Sequence, residues 1–221
     1  MVRFLFILVF CAAGITFTYF MIQPKEKPLK IYNPVDLEPE MVDPELLRVG
    51  MGHTIGSFEF KNQENKTITD KDVDDKVYVA EYFFTTCGTI CPQMNVQMQR
   101  VQEAFKDEKK FNILSFTVNP DTDDVEQMNN YANAHGANPK QWWFLTGSKE
   151  KLYELARKSF FVLKPAEAKN LGDVGSDFIH TNNFVLVDQQ GRIRGYYDGT
   201  SVEEVDQLIH DIDQLLHSEK H

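Results

Sequence analysis

Two apolar runs, Val77 to Phe84 and Phe111 to Val118, are separated by a single stretch of helical periodicity, and that order limits the folds open to the chain. An apolar run of this length suits a strand buried on both faces. Between the runs, Met94, Met98, Val101 and Phe105 recur at helical offsets within Pro92 to Lys106. Strand, helix, strand predicts two parallel neighbours joined by a right-handed crossover, hence an α/β architecture.

The flanking segments extend this pattern. Ser57 to Phe60 alternates like a strand, and Lys66 to Thr69 reads as its hairpin partner across Asn62 to Asn65. Asp124 to Ala134 is expected to be helical and to stop at His135-Gly136, and Ser148 to Lys158 to form a short helix. Trp142 to Leu145 is a short apolar segment, its tryptophans expected in packing. Asn183 to Asp188 and Arg192 to Tyr197 read as a hairpin around Gln189-Gln190-Gly191. Ser201 then opens an amphipathic helix with Val202, Val205, Leu208, Ile209 and Leu215 on its inner face. The order is thioredoxin-like, with an N-terminal β-hairpin extension.

The amino terminus differs. Phe4 to Ile22 is a nearly continuous apolar run, long enough to cross a hydrocarbon core at about 1.5 Å per residue. No small-residue cleavage pattern follows it, so residues 1–22 are expected to form an uncleaved membrane helix. Cys11 lies within this run and reads as a small apolar residue. Residues 23–48, with Pro24, Pro28, Pro34, Pro39 and Pro44, read as an extended linker. Residues 49–221 are one domain's worth of chain. Lys25, Lys27 and Lys30 follow the apolar run, so charge bias alone does not direct the domain outward. A formal net charge of −10 argues against nucleic acid as a partner.

The chemistry concentrates in Cys87-Gly88-Thr89-Ile90-Cys91-Pro92, directly after the first apolar run. Pro92 suits the first helical position, which makes Cys91 a cap residue and leaves Cys87 on the preceding loop. Thiolate is stabilised at a helix N-terminus, and thiolate is the form that binds metal or exchanges disulfides. Ligand sites of open α/β sheets lie beyond the carboxyl ends of the parallel strands. Asn119 to Asp123 falls at the same edge, where Asp121 and Asp123 read as a turn and a helix cap. If Asn183 to Asp188 runs antiparallel, His180 is brought to that edge too. Cys87, Cys91 and His180 would form a soft set of two sulfurs and one nitrogen, suited to Cu(I). Cu(II) would take the same donors with a weak fourth ligand, and zinc is the competing metal. A redox pair formed by Cys87 and Cys91 is the alternative. Thioredoxin-type redox motifs have two intervening residues rather than three, and a peroxidatic loop is echoed only by Phe84 to Cys87. Met94 and Met98 are expected in the core, and His53, His135, His210, His217 and His221 in solvent.

These segments together resemble the Sco/SenC family of membrane-anchored copper-binding proteins that help assemble cytochrome c oxidase. The resemblance is carried by Phe84 to Pro92 (family pattern F-x-x-C-x-x-x-C-P) and by Thr117 to Asp123. Leu145-Thr146-Gly147, His180-Thr181 and Val185 to Gly191 add to it. Asn119 stands where the family often has Asp, and Gly88 where it commonly has Pro. The resemblance implies a thioredoxin-like fold, copper held by Cys87, Cys91 and His180, and a domain facing the periplasm or the intermembrane space. It implies a copper donor protein and the copper-bearing oxidase subunit as partners, with a thiol–disulfide oxidoreductase role as the alternative.

Overall fold

The structure, a computed structural model, describes residues 27–43, 45–48, 50–162 and 182–218, together with Phe10, Gly14 and Thr18. Seven strands are described: β1 (Glu59–Asn62), β2 (Thr67–Thr69), β3 (Val77–Phe83), β4 (Phe111–Thr117), β5 (Trp142–Thr146), β6 (Asn183–Val187) and β7 (Ile193–Asp198). Four α-helices are described with them: α1 (Cys91–Ala104), α2 (Val125–Ala134), α3 (Lys149–Lys158) and α4 (Val202–Ser218). The strands form one mixed sheet in the order β2-β1-β5-β4-β3-β6-β7. β3, β4 and β5 are parallel, in the register Phe83 opposite Thr117 and Phe116 opposite Leu145. β6 runs antiparallel to β3, and β1 antiparallel to β5. The segment Trp142 to Leu145, short in sequence, is thus a full member of the parallel core.

Both faces of β3 are covered, which is why its sequence shows no polar alternation. Tyr78, Ala80 and Tyr82 pack on one side with α3 and Phe160 to Val162. Val77, Val79 and Phe83 pack on the other with α1, α2 and α4. Met94 and Met98 are buried in this second layer, as expected of core residues. Asn65 turns the β1–β2 hairpin with a φ of 61°, a left-handed conformation that Asn tolerates.

Much of the proline-containing stretch packs on the domain instead of standing away from it. Tyr32 donates its N–H to Ile193 O at 2.9 Å, along the outer strand β7. Arg194 donates to Leu29 O at 2.6 Å and to Lys30 O at 3.1 Å. Asn33 Oδ1 accepts from the N–H groups of Gly52 and His53, and Val42 is fully buried. A strap of this kind covers a sheet edge that would otherwise expose unpaired backbone. It also buries His53, which sequence placed in solvent: its Nε2 lies 2.8 Å from Ser159 O, and its ring packs on Phe161. His135 is half-buried beside Tyr131, while His210 and His217 are exposed as expected.

Among the described residues, no helix is long and apolar enough to cross a membrane. The expected span, Phe4 to Ile22, lies outside the described residues apart from Phe10, Gly14 and Thr18, and His221 lies outside them entirely.

Candidate metal centre

The chain leaves β3 at its carboxyl end, turns with Cys87 N–H donating to Phe84 O at 3.2 Å, and enters α1. The helix starts one residue earlier than Pro92 suggests. Ile90 O accepts from both Gln93 and Met94 N–H, which makes Ile90 the cap and Cys91 the first helical residue. Pro92 at the second position still lacks only an N–H that has no intrahelical partner. Cys91 therefore sits inside the first turn, and Cys87 faces it from the loop.

Both cysteines are free thiols and both are buried. Their acidities diverge. Burial opposes the Cys87 thiolate, but hydrogen bonds from the Cys91 thiol and from the Thr89 and Cys91 backbone outweigh it, so the Cys87 pKa is lowered. Thr89 Oγ1 lies 3.7 Å from Cys87 Sγ. Burial pushes the Cys91 thiol far up, reinforced by its hydrogen bond to Cys87 and by the Cys87 charge. Cys87 thus gives up its proton more readily than Cys91, and a second thiolate forms only when something compensates its charge. A soft cation supplies that compensation, and two converging sulfurs are a donor set that Cu(I) accepts.

Around the pair, the structure places several groups that sequence reasoning missed. Glu81 lies on the α1 side of β3 and is 1% exposed. Its carboxyl accepts from Ser115 Oγ at 2.6 Å, which in turn accepts from Trp142 Nε1 at 2.7 Å. Burial lifts the Glu81 pKa to about 7, against the lowering effect of Ser115. The signal available in the sequence was the single acidic residue inside Val77 to Phe84. Tyr131, from α2, accepts from Asn95 Nδ2 and packs its ring on Phe83 and Phe144.

The second loop at this edge differs from the sequence expectation. Asp124, not Asp123, caps α2, its Oδ1 accepting from Gln127 N–H at 2.8 Å. Asp123 is instead wholly buried and bonded to Thr85 and Thr117. Asp121 lies exposed in the turn.

β6 begins at the same edge. Val185 pairs with Ala80, so Asn183 lies toward the carboxyl end of β3, and Asn182 O accepts from Gly199 N–H at 2.7 Å. His180 lies outside the described residues. Among the described residues, no group of three or more His, Cys, Asp or Glu side chains is placed to hold a metal. The structure thus brings Cys87 and Cys91 together and describes two of the three expected donors. A cleft of about 620 Å³ lined by Phe58, Phe60, Lys71, Lys151 and Lys158 includes neither thiol.

The SCO1/SenC family model matches residues 49–217, which takes in every strand and nearly all of every helix above. The chain belongs to the SCO1/SenC family. The SCO1 protein homolog of Bacillus subtilis strain 168 is 31% identical over 165 residues, covering 73% of this chain and 82% of that one. The structure of BsSco, described as a member of the Sco family of cytochrome c oxidase assembly proteins with a disulfide switch, is 30% identical. It superposes with a TM-score of 0.63, covering 75% of this chain and 94% of that one. Bradyrhizobium japonicum ScoI, solved with copper bound, is 23% identical and shares the fold at a TM-score of 0.58, covering 74% of this chain and 99% of that one. The Sco fold is thioredoxin-like, and here it carries the β1–β2 hairpin at one end of the sheet.

Proposed function

We propose that this Sco protein is a membrane-anchored copper carrier for cytochrome c oxidase assembly, with Cys87, Cys91 and His180 as its three ligands. The observation that carries the reading is the convergence of two free thiols on the first turn of α1. The start of β6 at the same edge supports the third ligand. His180 stands two positions before Asn182, and two residues of chain reach at most about 7 Å. Copper is cargo in this scheme. It is taken from a donor protein and passed by stepwise ligand exchange to the copper-bearing oxidase subunit. The Phe4 to Ile22 span would hold the domain at the membrane, on the periplasmic or intermembrane-space side.

Metal binding to thiols releases protons. Cys87 gives up its proton more readily than Cys91, which does so as Cu(I) neutralises the pair. Cys87→Ser, Cys91→Ser and His180→Ala are each expected to abolish stoichiometric Cu(I) binding in anaerobic titration while circular dichroism stays unchanged. Stoichiometric Cu(I) retained by His180→Ala would contradict the ligand set.

The unequal acidity of the two thiols favours a second reading, a thiol–disulfide oxidoreductase that keeps the oxidase cysteines reduced. In that role Cys87 attacks and Cys91 resolves. His180→Ala separates the two readings, because it removes copper binding and leaves reductase turnover intact.

A further inference from the structure

The carboxyl of Asp123 has no exposure to solvent, and both its oxygens are met by hydroxyl groups. Thr85 Oγ1 donates to Oδ1 and Thr117 Oγ1 donates to Oδ2, each at 2.5 Å. The Thr85 N–H adds a longer contact at 3.3 Å. Each hydroxyl is also an acceptor, Thr85 from Gln127 Nε2 at 3.2 Å and Thr117 from Asn119 N–H at 2.9 Å. That second bond orients both hydroxyl protons toward Asp123. The backbone of Asp123 is held as firmly. Its N–H donates to Asn119 O at 2.9 Å, and its carbonyl accepts from Thr146 Oγ1 at 2.6 Å.

Thr85 follows β3, Thr117 ends β4 and Thr146 ends β5. One buried residue therefore joins the carboxyl ends of all three parallel strands. Two of its bonds fall on Thr85, two positions before Cys87. A buried carboxylate among neutral donors is a costly way to fasten a loop. An apolar contact would fasten it more cheaply but would not set its direction.

We propose that Asp123 is a positioning residue of the thiol site: through Thr85 it sets where the Cys87 loop leaves β3, and so how the two sulfurs are spaced. This rests on reading Cys87 and Cys91 as the working pair. A fixed spacing governs two measurable equilibria, the closing of the Cys87–Cys91 disulfide and the binding of Cu(I). In the first, the reduced pair and glutathione disulfide give the protein disulfide and two glutathione thiols.

The test uses the full chain with Asp123→Asn, Thr85→Val and Thr85→Ser. The glutathione equilibrium, Cu(I) affinity and urea midpoint are measured for each. Asp123→Asn and Thr85→Val are expected to shift the disulfide equilibrium and to lower Cu(I) affinity by about tenfold or more. Thr85→Ser keeps the hydroxyl and should stay within about twofold of wild type on both. Unchanged equilibria in Thr85→Val, with only the urea midpoint lowered, would overturn the proposal and leave Asp123 a stabilising contact. Thr85→Val decides between the two roles even if Asp123→Asn does not fold. A wild-type chain that binds no Cu(I) would contradict the carrier reading, while the glutathione arm would still judge the positioning role.

Discussion

Glu81 lies on a strand that is otherwise entirely apolar on its α1 side, with Ser115 and Trp142 bonded behind it. Its pKa is raised to about 7 by burial, whereas an unfolded chain would ionise it near 4.5. Between those values the folded state binds more protons than the unfolded one, so stability falls as pH rises through this window. The penalty is absent below about pH 4.5 and complete above about pH 7. Replacing Glu81 by Gln keeps an acceptor for Ser115 and removes the charge. Glu81→Gln is therefore expected to leave stability at pH 4.5 nearly unchanged and to raise it by up to about 3 kcal/mol at pH 8, read from urea denaturation. An equal effect at both pH values would mean that Glu81 is not the group that titrates. The thiols differ for the same physical reason. Cys87 has donors that stabilise its anion, whereas burial dominates at Cys91.

Elements formed where local signals and burial agreed. The helical spacing of Met94, Met98 and Val101 predicts α1, and these side chains are indeed buried. The start of α1 moved by one residue because proline is tolerated at the second helical position as well as the first. The strap around 29–37 was harder to read. Its prolines describe the local backbone but not what lies beside it, and its partners on β7 are more than 150 positions away. Arg194 is the main clasp: it bridges the buried Asp188 at 2.8 Å and holds two strap carbonyls. Arg192 also holds Asp188, and burial opposes but does not cancel the lowering of the Asp188 pKa by the two arginines. Arg194→Ala should cost about 2–4 kcal/mol, since it leaves those carbonyls and part of a buried carboxylate unpaired. Hydrogen exchange at the Tyr32 amide should accelerate in the same variant. Protection retained at Tyr32 would mean that the strap is held without Arg194, by its remaining hydrogen bonds and apolar contacts.

At the scale of the whole molecule, the sheet order sets the chemistry. Three parallel strands end at one edge, and the antiparallel β6 starts there, so residues far apart in sequence are delivered to one place. That edge could be located from the apolar runs and from the Cys-x-x-x-Cys-Pro spacing. The buried supports behind it could not, because Glu81 meets Ser115, and Asp123 meets Thr85 and Thr146, only when separate strands come together. The chain's net charge of −10 gives it an acidic, well-solvated surface. The most direct test is X-ray absorption on the reduced full chain loaded anaerobically with one equivalent of Cu(I), compared with His180→Ala. Two sulfur neighbours and one imidazole nitrogen are expected, with the nitrogen lost in the variant. A copper shell made of sulfur alone, identical in both proteins, would contradict the three-donor site.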